Sequence, residues 1–95
     1  TKARFTPKAK RDLSDIWDYT LDHWGIDQAE TYVRALYDSI ENYANSPLQA
    51  VGIDDVRKSY RKFVSGSHVI FFKVSASGID VVRILHKSMD FNRHL

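Results

Sequence analysis

Residues able to move a proton or hold an anion gather at the C-terminal end of this sequence, in His86-Lys-Ser-Met-Asp-Phe-Asn-Arg-His-Leu95. His86, Asp90 and His94 recur every four residues, a spacing that on one helix would align three metal ligands. His86 is expected to close a strand, however, so the three do not share a helix face and no metal site is expected. The same histidine suits another chemistry. An imidazole can act as general acid or base on a phosphodiester, with Arg57, Arg61 or Arg83 stabilising the charge of the phosphorane. Upstream, Val56-Arg-Lys-Ser-Tyr-Arg-Lys-Phe63 interleaves four basic residues with an aromatic one. On a strand, that pattern either contacts phosphates and stacks on bases or guards a sheet edge against aggregation. No glycine-rich phosphate loop, zinc-finger spacing or serine-nucleophile motif is present, and no cofactor is expected.

The elements that must position these residues begin with a hairpin. His68–Val74 and Ile79–His86 are rich in β-branched and aromatic side chains, and Ser75-Ala-Ser-Gly78 between them reads as a four-residue loop. The first run is apolar on both faces, as in a central strand, and His68 at its start has a structural role. Lys2–Phe5 reads as a short first strand. Thr6 is expected to cap a helix that has Pro7 at its first position. On this helix Ala9, Leu13, Ile16, Trp17, Thr20 and Trp24 form the inward stripe, and Asp12, Asp15, Asp18 and Asp22 a solvated face. His23 lies near its C-terminal end, and Gly25 stops it. Asp27 with Glu30 resembles a capping box for a second helix. That helix would bury Ala29, Val33, Leu36, Tyr37, Ile40 and Ala44 and end at Asn45-Ser-Pro47. The short link makes the two an antiparallel helical hairpin. Leu48–Asp55 reads as a loop and Val56–Phe63 as a strand. Trp17, Ile70, Phe72 and Ile84 are the expected core.

Composition bounds the reading. Ninety-five residues make a single domain over residues 1–95, able to bury about two thirds of its unfolded surface. The 43% hydrophobic content and two tryptophans argue for a folded core. The absence of cysteine excludes disulfides and fits a reducing cytoplasm. No apolar run approaches the ~20 residues of a membrane span. Residues 1–5 lack the hydrophobic stretch of a signal peptide, and the missing initiator Met leads us to expect residues before Thr1. Charge is segregated: residues 1–11 carry five bases and no acid, residues 12–55 ten acids and one base, and residues 56–95 eight bases and two acids. One acidic and one basic face are expected; charge alone favours solubility and attraction between the two halves of the fold over a basic surface for nucleic acid or an acidic protein.

Phe5-Thr-Pro-Lys-Ala, Asp12-Leu-Ser-Asp-Ile-Trp, Arg57-Lys-Ser-Tyr-Arg61, Gly66-Ser-His-Val-Ile-Phe-Phe72 and Val82-Arg-Ile-Leu-His-Lys-Ser-Met-Asp90 are the most informative segments. In this order and over nearly the whole chain, the sequence resembles the ParE toxins of the RelE/ParE toxin–antitoxin superfamily. The resemblance implies an α+β fold, a small antiparallel sheet packed on the helical hairpin in the order β-α-α-β-β-β. That agrees with the reading of the residues themselves. It also implies a cytoplasmic type II toxin that poisons DNA gyrase without being an enzyme, meets DNA through the gyrase complex, and is neutralised in a hetero-oligomer by a ParD-like antitoxin.

On that reading Arg57, Arg61, Arg83, His86, Lys87 and Arg93 are the candidates for toxicity. Tyr19, Leu21, Tyr32 and Leu36 are the candidates for antitoxin contact. The alternative is a RelE-like endoribonuclease that cuts mRNA on the ribosome, with His86, Arg61 and Arg83 as its catalytic set. Ribonuclease relatives end the last strand with a His-basic-basic-x-x-Tyr pattern. Here the register gives Phe91 in place of the tyrosine and Asp90 where the phosphate would approach. A phenyl ring neither donates nor accepts a proton, which favours the gyrase poison. A non-catalytic nucleic-acid-binding module, marked by salt-sensitive affinity for free nucleic acid, is the third possibility.

Overall fold

A computed structural model describes residues 2–95. The chain runs β1 (Lys2–Phe5), α1 (Pro7–Trp24), α2 (Ile26–Asn45), a single 3-10 turn (Pro47–Gln49), β2 (Val51–Gly52), β3 (Tyr60–Ser65), β4 (His68–Ser75), β5 (Gly78–His86) and α3 (Phe91–His94). Five strands form one sheet in the order β1-β5-β4-β3-β2. The run from β5 to β2 is antiparallel, whereas β1 joins β5 in parallel, with Phe5 opposite Val81. The α+β architecture is as expected, with a mixed rather than purely antiparallel sheet.

Thr6 caps α1, its Oγ1 accepting from the Ala9 N–H at 3.1 Å, with Pro7 in the first turn. Gly25 serves both helices: its N–H donates to the Leu21 carbonyl, and its own carbonyl accepts from Ala29. A φ of 90° there is one that glycine adopts readily. This one-residue hinge starts α2 at Ile26 and leaves Asp27 inside the first turn, with no side-chain cap. The capping-box reading is therefore wrong, although Asp27 still complements the helix dipole.

Alternation along β4 divides the core in two. Ile70 and Phe72 face the helices and pack with Leu13, Ile16, Leu36, Ile40 and Ile84. Val69 and Phe71 face the other way, where Ile53, Leu85, Met89, Phe91 and Leu95 cover them. Trp17 is only half-buried and lies outside both clusters, because it falls a third of a turn past Ile16. Trp24 is 70% exposed and Tyr37 47% exposed, so neither is core. The expected strand at Val56–Phe63 starts only at Tyr60. Arg57 and Lys58 lie in a turn that includes Ser59 at φ 69°, while Val51-Gly52, expected as loop, pairs with β3.

The β4–β5 connection is two residues, Ala76-Ser77, rather than four. A bulge then shifts the register: Phe72 faces Val81 but Phe71 faces Arg83, which leaves Val82 as the extra residue. Beyond Phe5, β1 ends and one side of β5 has no strand neighbour. Helix α1 takes over that edge. The Thr6 N–H donates to the Val81 carbonyl at 3.0 Å, Thr6 Oγ1 donates to the Val82 carbonyl at 2.8 Å, and Asp12 Oδ2 accepts from the Ile84 N–H at 2.9 Å.

Candidate functional site

Where the ends of β4 and β5 meet the middle of the helical hairpin, the fold leaves a cleft of about 760 Å³. Ile16 and Ile84 give it an apolar lining, to which the aromatic residues Tyr19, Trp24 and Tyr32 add. The polar groups are concentrated in Ser67, His68, His86, Asp12 and Asp15. A cleft of this size with a few convergent polar groups is the usual form of a binding site.

His68 and His86 stand directly opposite each other across β4 and β5, with ring centroids 5.4 Å apart and nearly perpendicular. The bulge at Val82 decides this. Without its extra residue His68 would face Leu85, and His86 would lie one position off. Tyr32 fixes the first ring, with its Oη 2.6 Å from His68 Nδ1, and also accepts the Ser67 N–H at 2.9 Å. The turn at Gly66 is shaped for that contact. Its φ is +60°, and a Cβ there would come within 2.8 Å of the Tyr32 ring. His86 Nδ1 lies 2.7 Å from Ser88 Oγ and accepts the Ser88 N–H at 3.1 Å.

Beside the histidines, Asp12 and Arg83 form a bidentate ion pair, Nε to Oδ2 at 2.8 Å and Nη2 to Oδ1 at 3.1 Å. Their side chains are 12% and 16% exposed. Asp12 was expected on a solvated face with Asp15, Asp18 and Asp22. It instead holds α1 to the β5 edge. Arg83 Nη1 donates to the His94 carbonyl at 3.0 Å, which ties α3 to the same point. The hydrogen bond that Arg83 donates to Asp12 is the main cause that keeps its guanidinium more firmly protonated than usual.

The C-terminal segment is anchored at several further points. Asp90 caps α3 by accepting the Asn92 N–H at 3.1 Å. The Phe91 ring meets Phe71 edge-on at 4.9 Å, on the sheet face away from the helices, with Lys62 Nζ 5.1 Å from its centroid. Arg57 Nη2 donates to the Leu95 carbonyl. Lys87 and Arg93 are exposed. His86, Asp90 and His94 do not converge: among the described residues no group of three metal-ligating side chains exists.

The chain matches, over residues 3–91, the family described as "ParE toxin of type II toxin-antitoxin system, parDE". This chain belongs to the ParE toxin family. It is 46% identical over 91 residues to Toxin ParE1 from two strains of Mycobacterium tuberculosis, covering 95% of this chain and 93% of theirs. It is 40% identical over 92 residues to Toxin ParE1 of Caulobacter vibrioides, covering 97% and 95%. The solved structure titled "Chromosomal ParDE TA system from P. aeruginosa" shares the fold, with a TM-score of 0.77 at 20% identity over 90% of this chain and 95% of that one.

In this ParE toxin the three side chains of a ribonuclease reading do not meet. His86 faces His68, which faces Ser65, and Arg61 lies four residues back along β3. Two strand spacings and four residues of rise separate the Arg61 and His86 backbones by roughly 16 Å. Arg61 Nη1 donates instead to the Ala50 carbonyl at 2.8 Å. Arg83 is engaged with Asp12 and His94, and Phe91 lies on the opposite sheet face from His86.

Of the residues expected to meet an antitoxin, Tyr19 is 60% and Leu21 36% exposed, and Tyr32 is half-buried in its bonds to Ser67 and His68. Leu36 is 1% exposed and belongs to the core beneath, so it offers nothing to a partner. Sequence reasoning missed Asp12, Tyr32's polar role and the His68–His86 pairing.

Burial holds His68 below the ordinary imidazole value of 6.5; nearby His86 adds to this, and Asp12 opposes it. The unfolded chain takes up that proton near pH 6.5, while the native state refuses it until a lower pH. The associated stability is complete above the unfolded value and is lost as pH falls from there toward the native one. Thermal melts from about pH 7.5 to about pH 5.5 should show a falling Tm, less steep in His68→Gln. Parallel profiles for both proteins would show that His68 does not govern this range.

Proposed function

We propose that this chain is a toxin that poisons DNA gyrase by contact rather than catalysis, and that a ParD-like antitoxin neutralises it in the cytoplasm. The reading rests first on family membership. The observation that carries it further is that Arg61 lies far from His86 while Arg83, though near it, is held by Asp12 and His94. A phosphodiester cleaved by acid–base chemistry needs an acid or base and a cation within hydrogen-bond reach of one phosphate. Here one arginine is distant and the other has a carboxylate already bound. The C-terminal segment, with Arg57, Lys87 and Arg93 around it and His86 at its root, is the surface we assign to gyrase and its DNA. Tyr19 and Leu21, with Tyr32 at the cleft wall, are assigned to the antitoxin. No helix among the described residues is long and apolar enough to cross a membrane.

The test pairs two assays on the purified toxin: DNA breaks and supercoiling by gyrase, and ribosome-dependent mRNA cleavage. Gyrase-linked breaks without mRNA cuts are expected, with only a graded loss in His86→Gln because weaker contact lowers affinity rather than removing a chemical step. Ribosome-dependent cuts that fall by about 10²–10⁴-fold in His86→Gln, without gyrase-linked breaks, would make the chain a ribonuclease. For the antitoxin, Leu21→Asp should weaken the complex without unfolding the toxin, since a charge would be left unpaired in an apolar contact. Unchanged affinity would move the antitoxin elsewhere.

A further inference from the structure

The hydrogen-bond inventory of the cleft fixes which atoms its histidines offer to a ligand. Ser88 places its backbone N–H 3.1 Å and its Oγ 2.7 Å from His86 Nδ1, and the Oγ can take either role; with the N–H bond made, the neutral ring holds its proton on Nε2. Tyr32 Oη accepts the Ser67 N–H and has a single proton of its own, 2.6 Å from His68 Nδ1. Giving that proton to Nδ1 is the arrangement that satisfies every group, and it leaves His68 with its proton on Nε2 as well. The two rings are paired across adjacent strands, line the same cleft, and make no other hydrogen bond among the described residues. The pair therefore offers two Nε2 N–H donors that have no protein acceptor among the described residues, on rings whose centroids are 5.4 Å apart.

From this geometry we infer that the His68–His86 pair is a carboxylate-binding site, which takes up a proton as the carboxylate enters. A carboxylate has two acceptor oxygens to match two donors and carries a single negative charge. A phosphate dianion fits less well. Arg83 is the only Lys or Arg among the lining residues, and its guanidinium already serves Asp12. Asp15 on α1 adds a negative charge at the wall. A divalent metal fits less well still, since both Nδ1 atoms are acceptors in existing bonds and both Nε2 atoms carry protons. Asp12, Asp15, Tyr19, Tyr32, Arg83 and His94 are the other charged or titratable groups that line the cleft around the pair. Asp12 is compensated by Arg83, so an arriving carboxylate is the new charge that His68 answers. An anion within reach of an imidazole raises its pKa, by about 1–3 units where the contact is direct. The ligand binds more tightly as the pH falls through that window, by up to about tenfold per unit for one linked proton. The site requires no particular cellular target, so it stands apart from the gyrase reading.

The test is imidazole ¹⁵N NMR of the free toxin. At high pH both rings should report the proton on Nε2. About 0.2 M acetate, against chloride at equal ionic strength, should shift both rings and raise the apparent pKa of His68 by about one unit. Inorganic phosphate at equal ionic strength should do less. In His68→Gln, whose amide can still meet Tyr32, the acetate response of His86 should fall or vanish. Repeating the titration on the toxin saturated with its antitoxin identifies the source of the carboxylate. Loss of the acetate response with a raised His68 pKa means a protein side chain fills the site, and a retained response means a small acid does. No difference between acetate and chloride would overturn the proposal, as would a proton on Nδ1 of either ring or a stronger response to phosphate.

Discussion

Phe72→Ala will lose about 3–5 kcal/mol of folding stability, the usual cost of emptying a buried phenyl site. Phe72 is fully buried in the sheet face under the helices, with its ring 5.9 Å from that of Phe63. Phe63 in turn stacks on Tyr43 at 4.0 Å, so the cavity would open beneath an aromatic stack that joins α2 to the sheet. A domain this small has a total stability near the lower end of about 5–15 kcal/mol. The variant should therefore be largely unfolded in mild urea where the wild type is native. Urea transitions followed by circular dichroism measure the difference. Phe72→Leu, which keeps most of the volume, should stay folded. A nearly wild-type midpoint for Phe72→Ala would mean that Phe72 does not support the core.

Asp12→Ala should be of similar size, for a different reason. It removes the carboxylate from a guanidinium that is 16% exposed and deprives the Ile84 N–H of its acceptor. Breaking a buried ion pair from one side costs about 3–5 kcal/mol, because the surviving charge stays desolvated. Replacing both partners, as in Asp12→Ala with Arg83→Met, should cost less than Asp12→Ala alone, since no uncompensated charge remains. Urea denaturation of the two single variants and the double variant gives the coupling energy directly. A double variant whose loss equals the sum of the single losses would show the pair to be energetically irrelevant.

These two residues differ in how visible they were beforehand. Phe72 lies in an apolar run flanked by turn signals, and a run apolar on both faces marks a central strand whose side chains are buried whichever way they point. Thr6 and Pro7 announced their helix start in the same local way. Asp12 gave no such signal. Its spacing with Asp15 and Asp18 describes a helix surface, but whether that surface meets water depends on β1 stopping at Phe5 and exposing the β5 edge. The His68–His86 pair was hidden for a related reason. Counting back from the loop places His68 opposite Leu85, and only the bulge at Val82, whose carbonyl accepts from Thr6, moves His86 into line. Arg57 and Lys58 were misplaced because Ser59 takes a positive φ that nothing in its residue type demands. Periodicity reports what one element does, whereas the cleft depends on where neighbouring elements end.

The parallel pairing of β1 with β5 has a consequence for how the chain is made. Lys2 meets Gly78 and Phe5 meets Val81, so the first strand has no neighbour in the sheet until the last strand has been synthesised. The Asp12 clasp and the Thr6 bonds also await residues 81–84. Contacts that span most of a chain form late and slow its folding, since a large loop must close before they are rewarded. A nascent chain that has not yet delivered β5 can hold its helical hairpin only loosely, with the Leu13 and Ile16 stripe lacking the Ile79, Val81 and Ile84 surface it packs on. The finished cleft, assembled from both halves of the sequence, thus arises only after β5 is free of the ribosome. An antitoxin that reads the cleft would recognise only molecules in which β5 has docked.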